Sequence, residues 1–294
     1  MSLDLPSDVR PGGRYGSWQP EPPAYVVCDV DGTLIGPQDE ASSEVVAAVG
    51  RARAAGLRVG FATGRMRVAT ESLRRQLGAP GPHVLHNGAE VRDGTRTIAA
   101  WSLTAPQVDD LLELVRSLEA RAYLEVYTDT GFLVSSWDER ARPHWRILGQ
   151  EPDGVLASAV ELDGQVLPKA TFALFEPEVQ AELIEGVTRL GLLAGPAGSP
   201  LTPGLPYLNA THPDADKGRS LARAAAHIGV PMAATAAVGD ADNDLSMLAV
   251  AGTAIAMGQA PAHVRAAAHL VVPDVDAHGV AVALDACIGW RRGR

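Results

Sequence analysis

Apolar positions in the first part of the chain alternate between short continuous runs and residues spaced three or four apart. The runs at 25–30, 57–62 and 83–86 predict buried strands. The segments between them, 42–55 and 66–77, predict helices, the first with Val45, Val46, Val49 and Ala52 on one side. Such alternation is typical of a parallel sheet with helices on both faces. We therefore predict an α/β core.

The pattern changes after Asn87. The sequence there predicts hairpins at 89–102 and 122–136, helices at 106–120 and 177–190, and a strand at 166–175. Hairpins mixed with helices favour a separate α+β domain, which we place at 89–200.

The α/β pattern then resumes. The predicted strands are 206–210, 235–238, 253–256 and 269–272, and the predicted helices are 217–228 and 243–250. Prolines and glycines between Gly195 and Pro206 indicate a linker, and those in 1–23 indicate a flexible leader. The predicted core is thus formed by 24–88 and 201–294.

The most informative segment is the end of the first strand. Asp29 and Asp31 follow a valine-rich run and precede Gly32, so both should emerge at the strand's carboxyl end. Two carboxylates there favour a cation such as Mg²⁺. A calcium loop counted from Asp29 has its required Glu40 but has Leu34 where glycine is needed.

Four segments in a fixed order support this interpretation. They are Asp29-Val-Asp31-Gly-Thr, the strand and Thr-Gly-Arg of 57–65, segment 214–221 with its lysine, and the acidic segment 235–248. Two further segments belong with them, namely His86-Asn-Gly-Ala89 and Asp276-Ala-His-Gly-Val-Ala281. The set resembles the motifs of the haloacid dehalogenase (HAD) superfamily of phosphohydrolases, most closely the Cof-like, type IIB branch. The resemblance spans about 24 to 289 and implies a Rossmann-like core with an inserted α+β type IIB cap.

The resemblance also implies roles for individual residues. Asp29 would be the nucleophile that forms an aspartyl phosphate, and Asp31 the general acid and base. Lys217 would neutralise Asp29 and bind the phosphoryl group. Mg²⁺ would be held by the Asp29 carboxylate, the Asp31 backbone carbonyl and the Asp240 carboxylate.

Other polar residues are candidates for contacts around these groups. Thr63 offers a hydroxyl and Gly64 an amide to a phosphate oxygen, although an ordinary helix cap explains the threonine better when it is taken without the other motifs. Asn87 either hydrogen-bonds substrate or forms an Asn-Gly turn. Asn243 and Asp244 fit the family's Gly-Asp-x-x-Asn-Asp pattern and would contact phosphate or support the ligands.

The predicted cap contains candidates for substrate recognition. They are Trp137, Arg140, Arg142, His144, Trp145, Arg146 and Lys169, with His212 just before the third motif. Arginine and aromatic side chains suit a phosphorylated sugar, and a solvated helix face explains the same composition.

Composition limits the classes of function. The net charge of −10 argues against nonspecific nucleic-acid binding, and 46% hydrophobic residues suffice for a sizeable core. No apolar stretch is long enough to span a bilayer, and 1–23 lacks a signal peptide's apolar core, so we expect a cytoplasmic protein. The predicted activity is a Mg²⁺-dependent phosphatase for a small phosphorylated metabolite, with a sugar phosphate first. A phosphomutase and a non-catalytic phosphometabolite-binding protein are the alternatives.

Overall fold

A computed structural model describes residues 5–19, 21–37, 40–162, 164–197 and 204–292. The chain divides into two compact units. The first unit consists of Met1–Arg65, Thr70–Ala99 and Asp216–Arg294, and the second of Met66–Ala69 and Ala100–Ala215.

The strands are named in chain order. They are β1 (Arg10–Pro11), β2 (Tyr25–Asp29), β3 (Arg58–Ala62), β4 (His83–Leu85), β5 (Glu90–Asp93), β6 (Arg96–Ala100), β7 (Ala122–Tyr127), β8 (Phe132–Val134), β9 (Gly154–Val155), β10 (Lys169–Leu174), β11 (Leu193–Ala197), β12 (Tyr207–Thr211), β13 (Thr235–Gly239), β14 (Thr253–Ala256) and β15 (Leu270–Val271).

The α-helices follow the same convention. They are α1 (Ser43–Ala54), α2 (Arg67–Leu77), α3 (Ala105–Ser117), α4 (Arg142–Leu148), α5 (Gln180–Arg189), α6 (Lys217–His227), α7 (Leu245–Val250), α8 (Ala262–Ala267) and α9 (Gly279–Arg292). None of the helices in the described part of the chain is both long and apolar enough to cross a membrane.

The sheet of the first unit has the strand order β1-β15-β14-β13-β2-β3-β4-β5-β6. Strands β15 to β4 in this order are parallel to their neighbours, while β1 and β5 pair antiparallel at either end of that run. The central strands are buried on both faces, as expected for parallel strands covered by helices.

Helix α1 shows how the sequence produces one covering layer. The Ser42 hydroxyl accepts a hydrogen bond from the Val45 amide and caps the helix. Its buried side, Val45, Ala48, Val49 and Ala52, joins residues of α9 and of the central strands in one apolar core. Helix packing on this face thus depends on the three-to-four spacing visible in the sequence.

The strand order fixes where a ligand site is expected. The chain passes from β2 to its neighbour β3 on one side of β2. The neighbour of β2 on the other side is β13, and from there the chain passes to β14, farther from β2. Open α/β sheets bind ligands at the carboxyl ends of strands where the order reverses in this way. In this chain that position lies beyond Asp29 of β2 and Gly239 of β13.

The second unit contains a sheet with the order β11-β12-β10-β7-β8-β9. One face of this sheet packs against α3 and α5 through a leucine- and valine-rich core. Helix α3 begins with a capping box in which the Thr104 and Gln107 side chains bond each other's backbone amides.

The strand pairing corrects the predicted domain boundaries. The hairpin 89–102, assigned to the cap, instead forms β5 and β6 of the core sheet. The strand 206–210, assigned to the core, is β12 and pairs with β10 and β11 of the cap sheet. Hydrogen bonds between strands decide these memberships, and periodicity within a segment carries no information about such partners.

The predicted linker Gly195–Pro206 needs a similar correction. Its first residues lie in β11, which pairs antiparallel with β12. Residues 198–203 of the predicted linker lie outside the described residues.

The leader is not a loose segment over its described residues 5–19. Strand β1 pairs with β15, and the Trp18 indole donates a hydrogen bond to the Gly252 carbonyl at 3.1 Å. The Trp18 ring stacks on His269 at 5.6 Å and meets the edge of Trp290 at 5.5 Å. Aromatic burial anchors this part of the leader despite its glycines and prolines.

Candidate active site

Asp29 is the last residue of β2 and its side chain is almost fully buried, with 5% exposure. The chain leaves the strand through Gly32, whose φ of +84° favours glycine. A Cβ atom at Gly32 would also lie 2.5 Å from Oδ2 of Asp240. Only glycine therefore lets this turn approach the loop that follows β13.

Lys217 forms the central ion pairs of the site. Its Nζ lies 2.5 Å from Oδ1 of Asp29 and 2.6 Å from Oδ1 of Asp244. Lys217 is the first residue of α6, and the preceding Asp216 caps the helix by accepting from the Arg219 amide at 2.8 Å. The helix start thus fixes the lysine beside a strand end that lies 188 residues away in sequence.

Asp244 holds the loop after β13 in place. Its Oδ2 accepts hydrogen bonds from the amides of Asp240 at 2.9 Å and Ala241 at 3.0 Å, while Oδ1 binds Lys217. Because Lys217 and the two amides already use both carboxylate oxygens, Asp244 orients its neighbours. A Cβ atom on Gly239 would lie 2.5 Å from the Asp244 carboxyl carbon, which explains the glycine there.

The cluster of Asp29, Asp240 and Asp244 contains a single ammonium group, that of Lys217 bound to Asp29 and Asp244, so it carries excess negative charge. Burial raises the pKa of Asp29 to about 8, with Lys217 opposing and Asp244 adding to the shift. Burial and the nearby Asp244 also raise the pKa of Asp240. Burial alone would lower the pKa of Lys217, but Asp29 and Asp244 raise it above its ordinary value.

The donor set fits a divalent cation. Asp29, Asp240 and Asp244 each offer an oxygen within 4.8 Å of the others. Among the described residues, Oδ2 of Asp29 has no hydrogen-bond donor, and Oδ1 of Asp240 accepts the Thr33 hydroxyl at 3.1 Å. Hard oxygen ligands and uncompensated negative charge suit Mg²⁺, with Asp29 and Asp240 as the available carboxylates.

Asp31 lies apart from this cluster. Its side chain is 57% exposed and receives a bidentate ion pair from Arg65, with Nη2 at 2.6 Å and Nε at 3.1 Å. Arg65 follows the Thr63-Gly64 pair after β3, so the second motif holds the second aspartate of the first motif. Exposure makes Asp31 accessible to a reacting group, and the pair with Arg65 sets its orientation.

The predicted phosphate contacts form a second group at the same sheet edge. The Asn243 amide donates to Oδ1 of Asn87 at 3.0 Å, and the Asn87 backbone amide donates to the Thr63 carbonyl at 2.8 Å. The Thr63 hydroxyl accepts from the Arg65 amide at 3.1 Å, which makes a local turn ahead of α2 rather than a cap of that helix, whose first residue is Arg67. Asn87 has a φ of +56°, so the Asn-Gly turn is present as well.

Three residues that the sequence interpretation gave no role belong to this site. Thr33 binds Asp240, Arg65 binds Asp31, and the Gln259 amide donates to the Gly32 carbonyl at 2.6 Å. Thr33 lies in the first motif and Arg65 in the second, and these positions were the sequence signal that could have assigned them to the site. Gln259 follows β14 in a segment without any motif.

The structure assigns other tasks to several cap candidates. Trp145 is 1% exposed and donates to the Tyr123 hydroxyl at 3.0 Å, so it is a core residue. Arg140 pairs with Asp138 at 2.7 Å, and Arg142 with Glu139 at 2.7 Å. The two arginines form local ion pairs with neighbouring acidic residues, as the alternative of a solvated helix face predicts.

The remaining cap candidates differ in their surroundings. The ring of Trp137 is half exposed and lies 4.9 Å from that of Trp145, and Arg146 is exposed. His212 accepts the Asp214 amide at 3.1 Å within its own turn. His144 contacts Glu125 of β7, and the Lys169 ammonium lies over the ring of Tyr127.

Comparison with known proteins agrees with this geometry. The model of the haloacid dehalogenase-like hydrolase family matches residues 26–284. Phosphatase YwpJ of Bacillus subtilis is 29% identical over 286 residues, covering 87% of this chain and 96% of YwpJ. Pyridoxal phosphate phosphatase YbhA of Escherichia coli is 28% identical over 262 residues, covering 85% and 93%.

A solved structure shows the same fold. The HAD subclass IIB sugar phosphatase BT4131 superposes with a TM-score of 0.72 at 22% identity, covering 89% of this chain and 97% of that protein. The predicted superfamily and fold class are thereby confirmed. The chain belongs to the haloacid dehalogenase-like hydrolases, and its fold is that of their Cof-like, type IIB branch.

Proposed function

We propose that the protein is a Mg²⁺-dependent phosphatase that hydrolyses a small phosphorylated metabolite through an aspartyl phosphate on Asp29. One observation carries the proposal: a buried carboxylate at the strand-order reversal has one oxygen held by Lys217 and the other without a donor among the described residues. The relatives named as phosphatases support the same reaction class.

The first half-reaction transfers the phosphoryl group to the protein. Oδ2 of Asp29 attacks phosphorus, a new oxygen–phosphorus bond forms, and the ester oxygen–phosphorus bond breaks. Lys217 holds the other Asp29 oxygen and balances negative charge during the attack. The ion pair between Asp31 and Arg65 breaks, and Asp31 then contacts the leaving oxygen and gives that oxygen a proton.

The second half-reaction releases inorganic phosphate. The Asp31 carboxylate takes a proton from water, and the water oxygen forms a bond to phosphorus. The bond between phosphorus and Asp29 then breaks, which regenerates the carboxylate. Asn87 and Asn243, which bind one another, offer amide groups to the departing phosphate oxygens.

A bound metal ion would be held by the carboxylates of Asp29 and Asp240 and by the Asp31 backbone carbonyl. Mg²⁺ in that position supplies positive charge to the phosphoryl oxygens. Thr33 and Asp244 orient Asp240 and its loop for this task.

The substrate is proposed to be a phosphorylated sugar or a similarly polar phosphate ester. BT4131 is described as a sugar phosphatase, and YbhA as a pyridoxal phosphate phosphatase. Residues of the inserted cap would choose between such esters, because the core motifs contact the phosphoryl group that all of them share. The cytoplasmic location and the lack of a nucleic-acid partner stay predictions.

Metal removal tests the proposed cofactor. We expect phosphate release from a panel of phosphate esters to stop after EDTA treatment and dialysis and to return with Mg²⁺. Calorimetric Mg²⁺ titration should show at least about tenfold weaker binding for Asp240→Asn, which removes one charged ligand. Asp242→Asn is the matched control, because Asp242 lies in the same loop, outside the acidic cluster, and pairs with His263.

Other outcomes of this experiment contradict the proposal. Turnover that persists without divalent metal, or equal effects of the Asp240 and Asp242 changes, would reject the assigned metal ligands. Turnover that requires a sugar bisphosphate and returns phosphate to the substrate would identify the phosphomutase. Metal binding without turnover of any ester would favour the binding protein.

A further inference from the structure

The side chain of Gln259 links three loops of the first unit. Its amide nitrogen donates to the Gly32 carbonyl at 2.6 Å, and its Oε1 accepts the Val275 amide at 3.2 Å. A hydrogen bond from the same side chain to the Asp240 carboxylate opposes the rise in pKa that burial causes there. A side-chain amide has two N–H groups and one oxygen, which matches these three partners. The linked loops follow β2, β13 and β15.

The backbone next to Gln259 is held by two of the same loops. The Met257 amide donates to the carbonyl of Gly239, the last residue of β13, at 3.0 Å. The Gly258 amide donates to the carbonyl of Pro273, beyond β15, at 3.2 Å. The side chain of Gln259 therefore starts from a backbone position that is fixed relative to β13 and β15.

Two of the partners of Gln259 concern the proposed metal ligands. Asp240 is one of these ligands, and Gly32 directly follows Asp31, whose backbone carbonyl is another. The Thr33 hydroxyl of the same turn donates to Oδ1 of Asp240 at 3.1 Å. Gln259 and Thr33 together thus fix how far the turn after β2 stands from the carboxylate after β13.

The exposure of Gln259 separates a positioning role from a role in the buried core. Gln259 is exposed, and Gly32, Asp240 and Val275 are half-buried. Polar groups of partly exposed residues can bond to water instead, so the stability gained from each of these hydrogen bonds is small. Their main consequence is the relative placement of the three loops.

The two divalent ions Mg²⁺ and Ca²⁺ differ in how strictly their ligands must be placed. Mg²⁺ requires a nearly ideal octahedron of oxygens, whereas Ca²⁺ accepts more ligands in a flexible arrangement. A side chain that fixes the separation of two ligands therefore matters more for Mg²⁺ than for Ca²⁺.

We propose that Gln259 is a positioning residue that holds the Asp31 carbonyl and the Asp240 carboxylate at the separation Mg²⁺ requires, and so makes the site selective for Mg²⁺ over Ca²⁺. This inference rests on the proposed metal site and extends it to the choice of ion. Gln259 acts through Gly32 and Asp240 and is not itself assigned as a ligand.

Calorimetric titration with Mg²⁺ and with Ca²⁺ tests this role without turnover. Gln259→Met keeps the length of the side chain and removes both donors and the acceptor. We expect Mg²⁺ binding to weaken about tenfold, as it does when partners of metal ligands are changed. Ca²⁺ binding should change less than about threefold, so the preference for Mg²⁺ should fall. In phosphate release, the half-saturating Mg²⁺ concentration should rise about tenfold while kcat at saturating Mg²⁺ is retained.

Gln76→Met is the matched control. Gln76 is also an exposed glutamine of the first unit that links two segments, since its Nε2 donates to the Ala41 carbonyl at 2.9 Å and its Oε1 accepts the Ala41 amide at 3.2 Å. Gln76 lies outside the acidic cluster, so its replacement should leave both metal affinities unchanged. Urea midpoints of both variants measure any general loss of stability.

Gln259→Glu separates ligand placement from charge. The glutamate keeps an acceptor for the Val275 amide but cannot donate to the Gly32 carbonyl, so Mg²⁺ should bind more weakly than to the wild type. Tighter Mg²⁺ binding would show that charge decides the affinity and would overturn the proposal. An unchanged Mg²⁺ affinity in Gln259→Met, or equal losses for Mg²⁺ and Ca²⁺, would also overturn it.

The same titrations distinguish this inference from the proposed reaction. A wild type that binds Mg²⁺ with the expected dependence on Asp240 and Gln259, but hydrolyses no ester, would reject the phosphatase activity alone. Mg²⁺ binding that depends on Asp240 and not on Gln259 would reject the positioning role alone. A wild type that binds no Mg²⁺ would reject both the proposed cofactor and the role of Gln259.

Discussion

Replacing Asp29 by asparagine is expected to lower kcat by roughly 10⁴-fold or more, because the variant lacks the carboxylate that attacks phosphorus. The fold should persist, since asparagine has nearly the same size and Lys217 keeps its ion pair with Asp244. Steady-state phosphate release with p-nitrophenyl phosphate and with the best ester of the panel measures the effect. Circular dichroism and the urea midpoint check that the protein remains folded.

The Asp29→Asn result needs a control for general changes of charge near the site. Asp242→Asn removes an exposed carboxylate from the loop after β13 and should keep kcat within about threefold of the wild type. Such a difference corresponds to less than about 1 kcal/mol of activation free energy. An Asp29→Asn protein that retains kcat within about tenfold of wild type would contradict the nucleophilic role.

Replacing Lys217 by methionine is expected to affect both activity and stability. The change leaves the buried carboxylates of Asp29 and Asp244 without their shared cation. Breaking a buried ion pair from one side typically costs about 3–5 kcal/mol, so the free energy of unfolding should fall by about that amount. The loss of positive charge at the reacting group should lower kcat by roughly 10²–10³-fold. Urea unfolding and phosphate-release kinetics measure the two effects.

A double variant separates these two effects of Lys217. Adding Asp244→Asn to Lys217→Met removes one unpaired charge and should recover about 1–2 kcal/mol of the unfolding free energy. It should not recover kcat, because the ammonium is still absent from Asp29. Recovery of activity together with stability would mean that Lys217 acts only by holding the fold. An unchanged unfolding free energy in Lys217→Met would show that the buried pairs do not have the assigned strength.

The sequence was sufficient to predict the parts of the fold that depend on local pattern. The valine-rich run ending at Asp29 is β2, and the spacing of Val45, Val49 and Ala52 matches the buried side of α1. The family resemblance implied that Lys217 lies beside Asp29, and the structure places the two side chains in contact. Strand ends and helix starts position these residues, which explains why short motifs carried so much information.

Other features depend on partners that lie outside the segment itself. The antiparallel pairing of β5 with β4 and of β12 with β10 decides which sheet each strand joins. The arginine at 65 and the glutamine at 259 acquire roles only once folding brings them to Asp31 and Gly32. Lys169 was a cap candidate from its sequence position alone, while its contact with the ring of Tyr127 on the neighbouring strand became visible only in the fold.

A direct search for the phosphorylated protein tests the central claim that Asp29 carries the phosphoryl group. Asp31→Asn should transfer phosphate from p-nitrophenyl phosphate, whose leaving group needs no acid, but lacks the base for hydrolysis. Acid quenching, borohydride reduction of the acyl phosphate and peptide mass spectrometry should then find homoserine at position 29. The same experiment on Asp29→Asn should find no reduced residue. Phosphate release by the wild type together with an unmodified Asp29 peptide in Asp31→Asn, or a phosphoryl group on another residue, would contradict the account.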